Sequence, residues 1–199
     1  MAPGALPDPL AVAVIVAQQL EKLHVRYVIG GSFASSLHGE PRSTNDVDIV
    51  ADLEEATARL FVDSLGDPFY ADVSAAIAAV RAGSSFNVVH IESAVKVDIF
   101  VAGADPFDQE RLQRRQRIAV NAFGSDAALY VDTAEDVILR KLEWYRRGGE
   151  TSERQWRDVL AVLRTQQPLD DNHLRTWADR LGVADLLIRA RGDVKRGTP

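Results

Sequence analysis

The sequence predicts an α+β protein with a mixed α/β front and an all-helical rear. Three observations carry that expectation. Short apolar runs bounded by turn residues alternate with amphipathic stretches through residue 131. One of those runs, Asp46-Val47-Asp48-Ile49-Val50, holds two carboxylates at strand spacing. From Thr133 onward every periodic segment has helical character, with Gly148-Gly149 and Pro168 as punctuation. We therefore divide the chain into an α/β domain, residues 1–131, and a helical C-terminal region, residues 132–199.

The elements follow in order. Asp8-Pro9 opens a helix to about Leu23, with Asp8 as its cap and Pro9 at the first helical position. Val25 to Ile29 is a short strand, Gly30-Gly31 a turn, and Ser32 to Leu37 a helix ending near His38-Gly39. The strand with Asp46 and Asp48 comes next, then helices from about Leu53 to Leu65 and from Val73 to Arg81. Ser85 to Ile91 and Ala94 to Val101 form an antiparallel hairpin around Glu92-Ser93. Arg117 to Ala122 and Ala128 to Val131 are further strands. Thr133-Ala134-Glu135-Asp136 starts a helix that reaches about Arg147. Helices over Ser152–Arg164, Asp171–Leu181 and Val183–Arg191 complete the rear.

Composition narrows the function classes. With 199 residues, 46% of them hydrophobic, the chain can bury one good core, or one core plus a helical appendage. A net charge of −6 is unlike a typical nucleic-acid binder, although a local basic patch is compatible with it. No cysteine is present, which removes disulfides, thiolate zinc sites and cysteine nucleophiles. Leu10 to Leu20 is too short to cross a membrane and is interrupted by Gln18 and Gln19, and Met1-Ala2-Pro3-Gly4 brings no basic leader. The expectation is a cytoplasmic protein without a membrane partner.

The chemistry concentrates in two places. On a strand, Asp46 and Asp48 project from one face, and Val47 and Ile49 from the other. Two adjacent like charges need a cation between them, and an oxygen-only ligand set suits Mg²⁺, which also binds substrate phosphates. The bland alternative is a solvated strand face. It suits Asp46 better than Asp48, whose apolar neighbours demand a partner or a metal. Upstream, Gly30-Gly31 lets the backbone approach a phosphate, and Ser32 is placed to cap the following helix, to bind a phosphate oxygen, or both. A plain tight turn is the competing reading. Neither the Walker pattern nor the dinucleotide fingerprint is present. Together the two features point to metal-dependent nucleotidyl transfer.

Asp98, in Val95-Lys96-Val97-Asp98-Ile99-Phe100-Val101, is a third candidate. It completes a carboxylate cluster if its strand adjoins that of Asp46 and Asp48. Pairing with Lys96 is the alternative, with strand spacing setting the two residues about 7 Å apart. Two divalent ions at such a cluster would activate a hydroxyl and neutralise a triphosphate. Arg42 is a candidate phosphate contact or a salt-bridge partner for an aspartate. Arg111, Arg114, Arg115 and Arg117 form a basic run, read as a solvated face partly paired with Asp108 and Glu110 rather than an RNA contact. His24, His38, His90 and His173 lack zinc-ligand spacing, and no serine-hydrolase elbow surrounds Ser32. Trp144, Tyr145, Trp156 and Trp177 read as packing residues.

In order and spacing, Gly30-Gly31-Ser32, Asp46-x-Asp48 and Asp98 resemble the DNA polymerase β-type nucleotidyltransferase superfamily. More narrowly, Gly-Gly-Ser-x-Ala, His38-Gly39 and Arg42-x-Thr44-x-Asp46-x-Asp48 resemble the bacterial AbiEii/MenT-like group. The resemblance implies a small mixed sheet flanked by helices with a helical C-terminal region. It implies that Gly31 and Ser32 hold nucleotide phosphates, that Asp46 and Asp48 bind metal, and that Asp98 is a third ligand and base. Leu139-Arg140-Lys141-Leu142 and Trp156-Arg157-Asp158-Val159 resemble that group's lysine-bearing and Arg-Asp helices, which implies that Lys141 faces the nucleotide. A solvated Lys141 and a surface or interhelix Arg157-Asp158 pair are the alternatives.

The expected activity is transfer of a nucleoside monophosphate from an NTP such as ATP to an acceptor hydroxyl, with Mg²⁺ (one or two ions) as cofactor and Mn²⁺ as its substitute. The acceptor classes are RNA (a tRNA 3′ end), a protein and a small molecule, and a cognate toxin or antitoxin is an expected partner. The competing expectation is a non-catalytic nucleotide- or partner-binding module on the same fold. The substrate rests on resemblance alone, because fold does not fix function.

Overall fold

The computed structural model describes residues 8–41, 43–122 and 124–197. The chain divides into two compact units, one comprising Met1–Ser32 and Thr44–Val131, the other Phe33–Ser43 and Asp132–Pro199.

The first unit is built on a mixed sheet. Its strands are β1 (Tyr27–Ile29), β2 (Asp46–Ala51), β3 (Phe69–Ala71), β4 (Ser85–His90), β5 (Lys96–Val101), β6 (Gln116–Ala122) and β7 (Ser125–Val131). Among the described residues they make seven strands in the order β3-β4-β5-β2-β1-β7-β6. β2 sits near the middle, antiparallel to β1 and parallel to β5, while β4 and β5 form the expected antiparallel pair. Helices α1 (Pro9–Lys22), α3 (Glu55–Leu65), α4 (Val73–Ala82) and α5 (Pro106–Arg114) belong to the same unit. The α+β architecture expected from the sequence is present.

Local chemistry accounts for these boundaries. Asp8 caps α1 by accepting a hydrogen bond from the Ala11 N–H at 2.8 Å, with Pro9 in the first turn. Asp72 and Asp105 cap α4 and α5 in the same way. Gly83 ends α4 in the left-handed conformation at φ 57°, where a side chain would be strained. β3 has only three residues, too few for a period-2 pattern to register, and no strand is predicted there.

Alternation in β2 and β5 sorts the central sheet into two faces. Val47 and Ile49 of β2, with Val97 and Ile99 of β5, are fully buried on one face. On the other, Val50 and Phe100 join Val28 of β1 and Leu112 of α5 in an apolar cluster. The carboxylates lie on this second face, and α5 packs at its apolar end.

The second unit holds α6 (Ala134–Arg147), α7 (Glu153–Thr165), α8 (Asp171–Arg180), α9 (Ala184–Arg196) and most of α2 (Gly31–His38). Thr133 caps α6 through the Asp136 N–H, as its sequence predicts. α9 runs past the expected end at Arg191, because Gly192 is tolerated in the helix interior and Gly197 supplies the left-handed stop. Asp136, fully buried in α6, is tied to His173 of α8 at 2.7 Å. Trp177 is buried, whereas Trp144 is 46% exposed and departs from the packing role expected of it.

Candidate active site

Three carboxylates meet on one face of the sheet because of register. In the parallel β2/β5 ladder, Asp48 pairs with Asp98 and Asp46 pairs with Lys96. Parallel neighbours lie about 4.8 Å apart and directly paired residues share a face, so Asp48 and Asp98 are side by side. Asp46 lies one pleat repeat before Asp48 along β2. It is exposed, while Asp48 and Asp98 are half-buried.

The glycine turn closes on this cluster. The Gly30 N–H donates to the Asp48 carbonyl oxygen at 2.9 Å, pinning the end of β1 to β2. Gly31 opens α2 at φ +56°, and a Cβ built on it would lie 1.7 Å from Asp48 Oδ2. Only glycine satisfies both the backbone angle and the approach of the carboxylate. The Asp48 side chain thus lies against the opening residue of α2, whose first-turn N–H groups favour negative charge. Ser32 follows in the same turn, half-buried. Thr44 Oγ1 donates to the Asp46 carbonyl oxygen at 3.0 Å and fixes the entry to β2.

Lys96 is the residue whose part in the cluster sequence reasoning underweights. Its Nζ lies 2.8 Å from Asp98 Oδ2. Strand spacing separates the two Cα atoms, but a four-carbon stem spans that gap. The hydrogen bond to Asp98 holds the ammonium above its usual pKa range, aided by the negative field of Asp98, Asp46 and Asp48 and opposed by partial desolvation.

Among the described residues, no three Asp, Glu, His or Cys side chains form a ready cage for a metal ion. Mg²⁺ does not require one, since it is commonly held by one or two carboxylates with substrate phosphates and water. Asp46 and Asp48 fit that role in ligand type and placement. Asp98 is engaged by Lys96.

The remaining expected residues lie elsewhere. Arg42 falls outside the described residues. Lys141 belongs to the second unit, where it is buried rather than solvated and donates to Asp158 Oδ2 at 2.7 Å and to Gln155 Oε1 at 3.1 Å. Ser35 Oγ also donates to Asp158 Oδ2, at 3.4 Å. The arginine run is not a uniform solvated face. Arg111 is 3% exposed and paired with Asp108 at 2.7 Å, and α5 ends before Arg117, which lies on β6.

No family model matches this sequence, and no curated protein matches it. Comparison with solved structures finds an antigenic nucleotidyltransferase-like protein from Paracoccidioides brasiliensis, with a TM-score of 0.56 and 20% identity over 92% of this chain and 91% of that one. The fold is that of the nucleotidyltransferases. The comparison also finds the antibiotic-resistance factor ANT(2'')-Ia and the lincosamide antibiotic adenylyltransferase LnuA. The first has a TM-score of 0.48 and 13% identity over 92% of each chain. The second has a TM-score of 0.46 and 14% identity over 75% of this chain and 92% of that one. Within the nucleotidyltransferase fold described here, no helix among the described residues is long and apolar enough to cross a membrane.

Proposed function

We propose that this chain is a metal-dependent nucleotidyltransferase, moving a nucleoside monophosphate from an NTP to an acceptor hydroxyl. The observation that carries the reading is the register of Asp48 against Asp98, with Asp46 on the same face and the Gly30-Gly31 turn closed onto Asp48.

Asp46 and Asp48 would hold Mg²⁺, with Mn²⁺ as its substitute, and Asp98 is the third candidate ligand. The metal, when bound, supplies charge compensation for the triphosphate and the developing charge at phosphorus. Gly31 and Ser32 present backbone N–H groups, and Ser32 its hydroxyl, to the phosphates. Asp98 accepts the proton of the acceptor hydroxyl. The acceptor oxygen forms a bond to the α-phosphorus, the α–β phosphoanhydride bond breaks, and pyrophosphate leaves with the electron pair. A phosphate contact by Arg42 and a nucleotide-facing role for Lys141 rest on the sequence motifs. So do the AbiEii/MenT-like placement, a toxin–antitoxin partner and cytoplasmic location.

One observation favours the non-catalytic reading. The Lys96–Asp98 ion pair neutralises a carboxylate that catalysis requires. A transfer assay separates the two. Each α-labelled NTP, ATP included, is offered with Mg²⁺ to total RNA, lysate protein and a small-molecule panel, using wild type and Asp48→Asn. Label in one acceptor class with wild type, reduced at least about a thousandfold in the variant, is the expected result. Mg²⁺-dependent NTP binding without transfer to any class would transfer the assignment to a binding module.

A further inference from the structure

We propose that Lys96 is a built-in competitor for the metal, a cation that Asp98 holds until a divalent ion displaces it. The inference rests on reading Asp46, Asp48 and Asp98 as the metal-binding cluster, and it adds what sets the affinity of that cluster.

Three features of the geometry support it. Lys96 Nζ sits 2.8 Å from Asp98 Oδ2, within direct ion-pair distance. The β2/β5 register places Lys96 beside Asp46 and Asp98 beside Asp48, so the lysine stands among all three carboxylates. Its side chain remains 40% exposed against 18% for Asp98, so the ammonium can swing into water without moving the strand. Carboxylates gathered on one face need a counter-charge. Lys96 supplies one at Asp98. A carboxylate oxygen in contact with an ammonium group cannot also accept a divalent ion at bonding distance without strong cation–cation repulsion.

A mere surface ion pair makes a different prediction from a competitor, and Mn²⁺ binding tells them apart. Mn²⁺ alone is titrated into the full chain and followed by water-proton relaxation, with no nucleotide or turnover involved. The proteins are wild type, Lys96→Met, Asp98→Asn, the double variant and Asp48→Asn, with Lys96→Gln as a second lysine replacement should the methionine variant fold poorly. Removal of one positive charge at contact distance should tighten Mn²⁺ binding about tenfold. In wild type, where Lys96 occupies Asp98, Asp98→Asn should change affinity by less than about twofold. In the Lys96→Met background the same substitution should weaken it about tenfold, a coupling that a long-range charge effect alone does not give.

Equal effects of Asp98→Asn in both backgrounds, or unchanged affinity in Lys96→Met, overturn the proposal. Asp48→Asn keeps the two readings separable. If it abolishes Mn²⁺ binding while the lysine variants behave as wild type, the Lys96 inference fails and the metal site stands. If Asp48→Asn has no effect, or no variant binds Mn²⁺, the cluster reading fails and the Lys96 inference falls with it.

Discussion

A methyl group at Gly31 meets two separate obstacles, a backbone angle of φ +56° and the Asp48 carboxylate 1.7 Å from the new Cβ. The first costs about 1–2 kcal/mol for an L-residue, and the second forces Asp48 away from its place against α2. Gly31→Ala should therefore lower the melting temperature, with each kcal/mol worth about 2–4 °C in a chain of this size. In an Asp48→Ala background the clashes with Oδ2 and Cγ disappear, leaving the backbone part and the 2.9 Å approach to the Cβ that alanine keeps, so thermal unfolding of the four proteins should show coupling. Strict additivity would mean that the carboxylate moves aside at no cost. Tyr27 offers a pH test in the same unit. Burial, and then the hydrogen bond its hydroxyl donates to Glu21 at 2.8 Å, push the phenol well above its ordinary value of 10.0. Above pH 10 the unfolded chain loses this proton while the folded chain keeps it. The unfolded state then binds fewer protons, and stability falls as pH rises. Tyr27→Phe should flatten that alkaline decline in urea melts between about pH 9 and pH 11, relative to wild type.

The site is divided between what strand and turn patterns announce and what only pairing reveals. The shared face of Asp46 and Asp48 is visible in the sequence because period-2 alternation is local. The glycine turn is equally visible, since Gly30-Gly31 sits between an apolar strand and a helix. That Asp98 stands opposite Asp48 is not, because β2 and β5 are parallel neighbours separated by two helices and two strands. The Lys96–Asp98 contact is an alternative the sequence offers but strand spacing counts against, because Cα spacing says nothing of how far a lysine reaches. In the helical unit, capping and amphipathic period make α6 and α7 legible, but not the buried tie between them. Lys141 and Asp158 are 6% and 12% exposed and 2.7 Å apart. Deleting one member of such a pair strands a charge, so Asp158→Ala should cost about 3–5 kcal/mol in a urea melt. Lys141→Met combined with Asp158→Leu should recover most of that loss. A cost below 1 kcal/mol for Asp158→Ala would show that water reaches the pair.

At the scale of the molecule, the second unit is discontinuous in sequence. It draws Phe33–Ser43 from the front of the chain and joins that segment to Asp132–Pro199. The joining contacts are specific. His38 Nε2 lies 2.7 Å from the Asp132 carbonyl oxygen, Gln166 Nε2 donates to the His38 carbonyl oxygen at 2.9 Å, and Ser35 reaches Asp158. Gly39 approaches so closely that a Cβ there would lie 3.1 Å from the Ala161 side chain and from the Val162 nitrogen. A fragment of residues 132–199 leaves these polar groups unmatched and lacks the fully buried Ala34, in a piece of a size at which a single core is already marginal. That fragment should lack cooperative unfolding in urea, although helices with good caps keep part of their far-UV signal. Adding a synthetic peptide of residues 30–41 should restore a sigmoidal transition, because it returns the missing helix to its partners in the same unit. A fragment that unfolds cooperatively without the peptide would mean that α6 to α9 close their own core. The segment after Gly31-Ser32 would then be spared a structural duty in that unit.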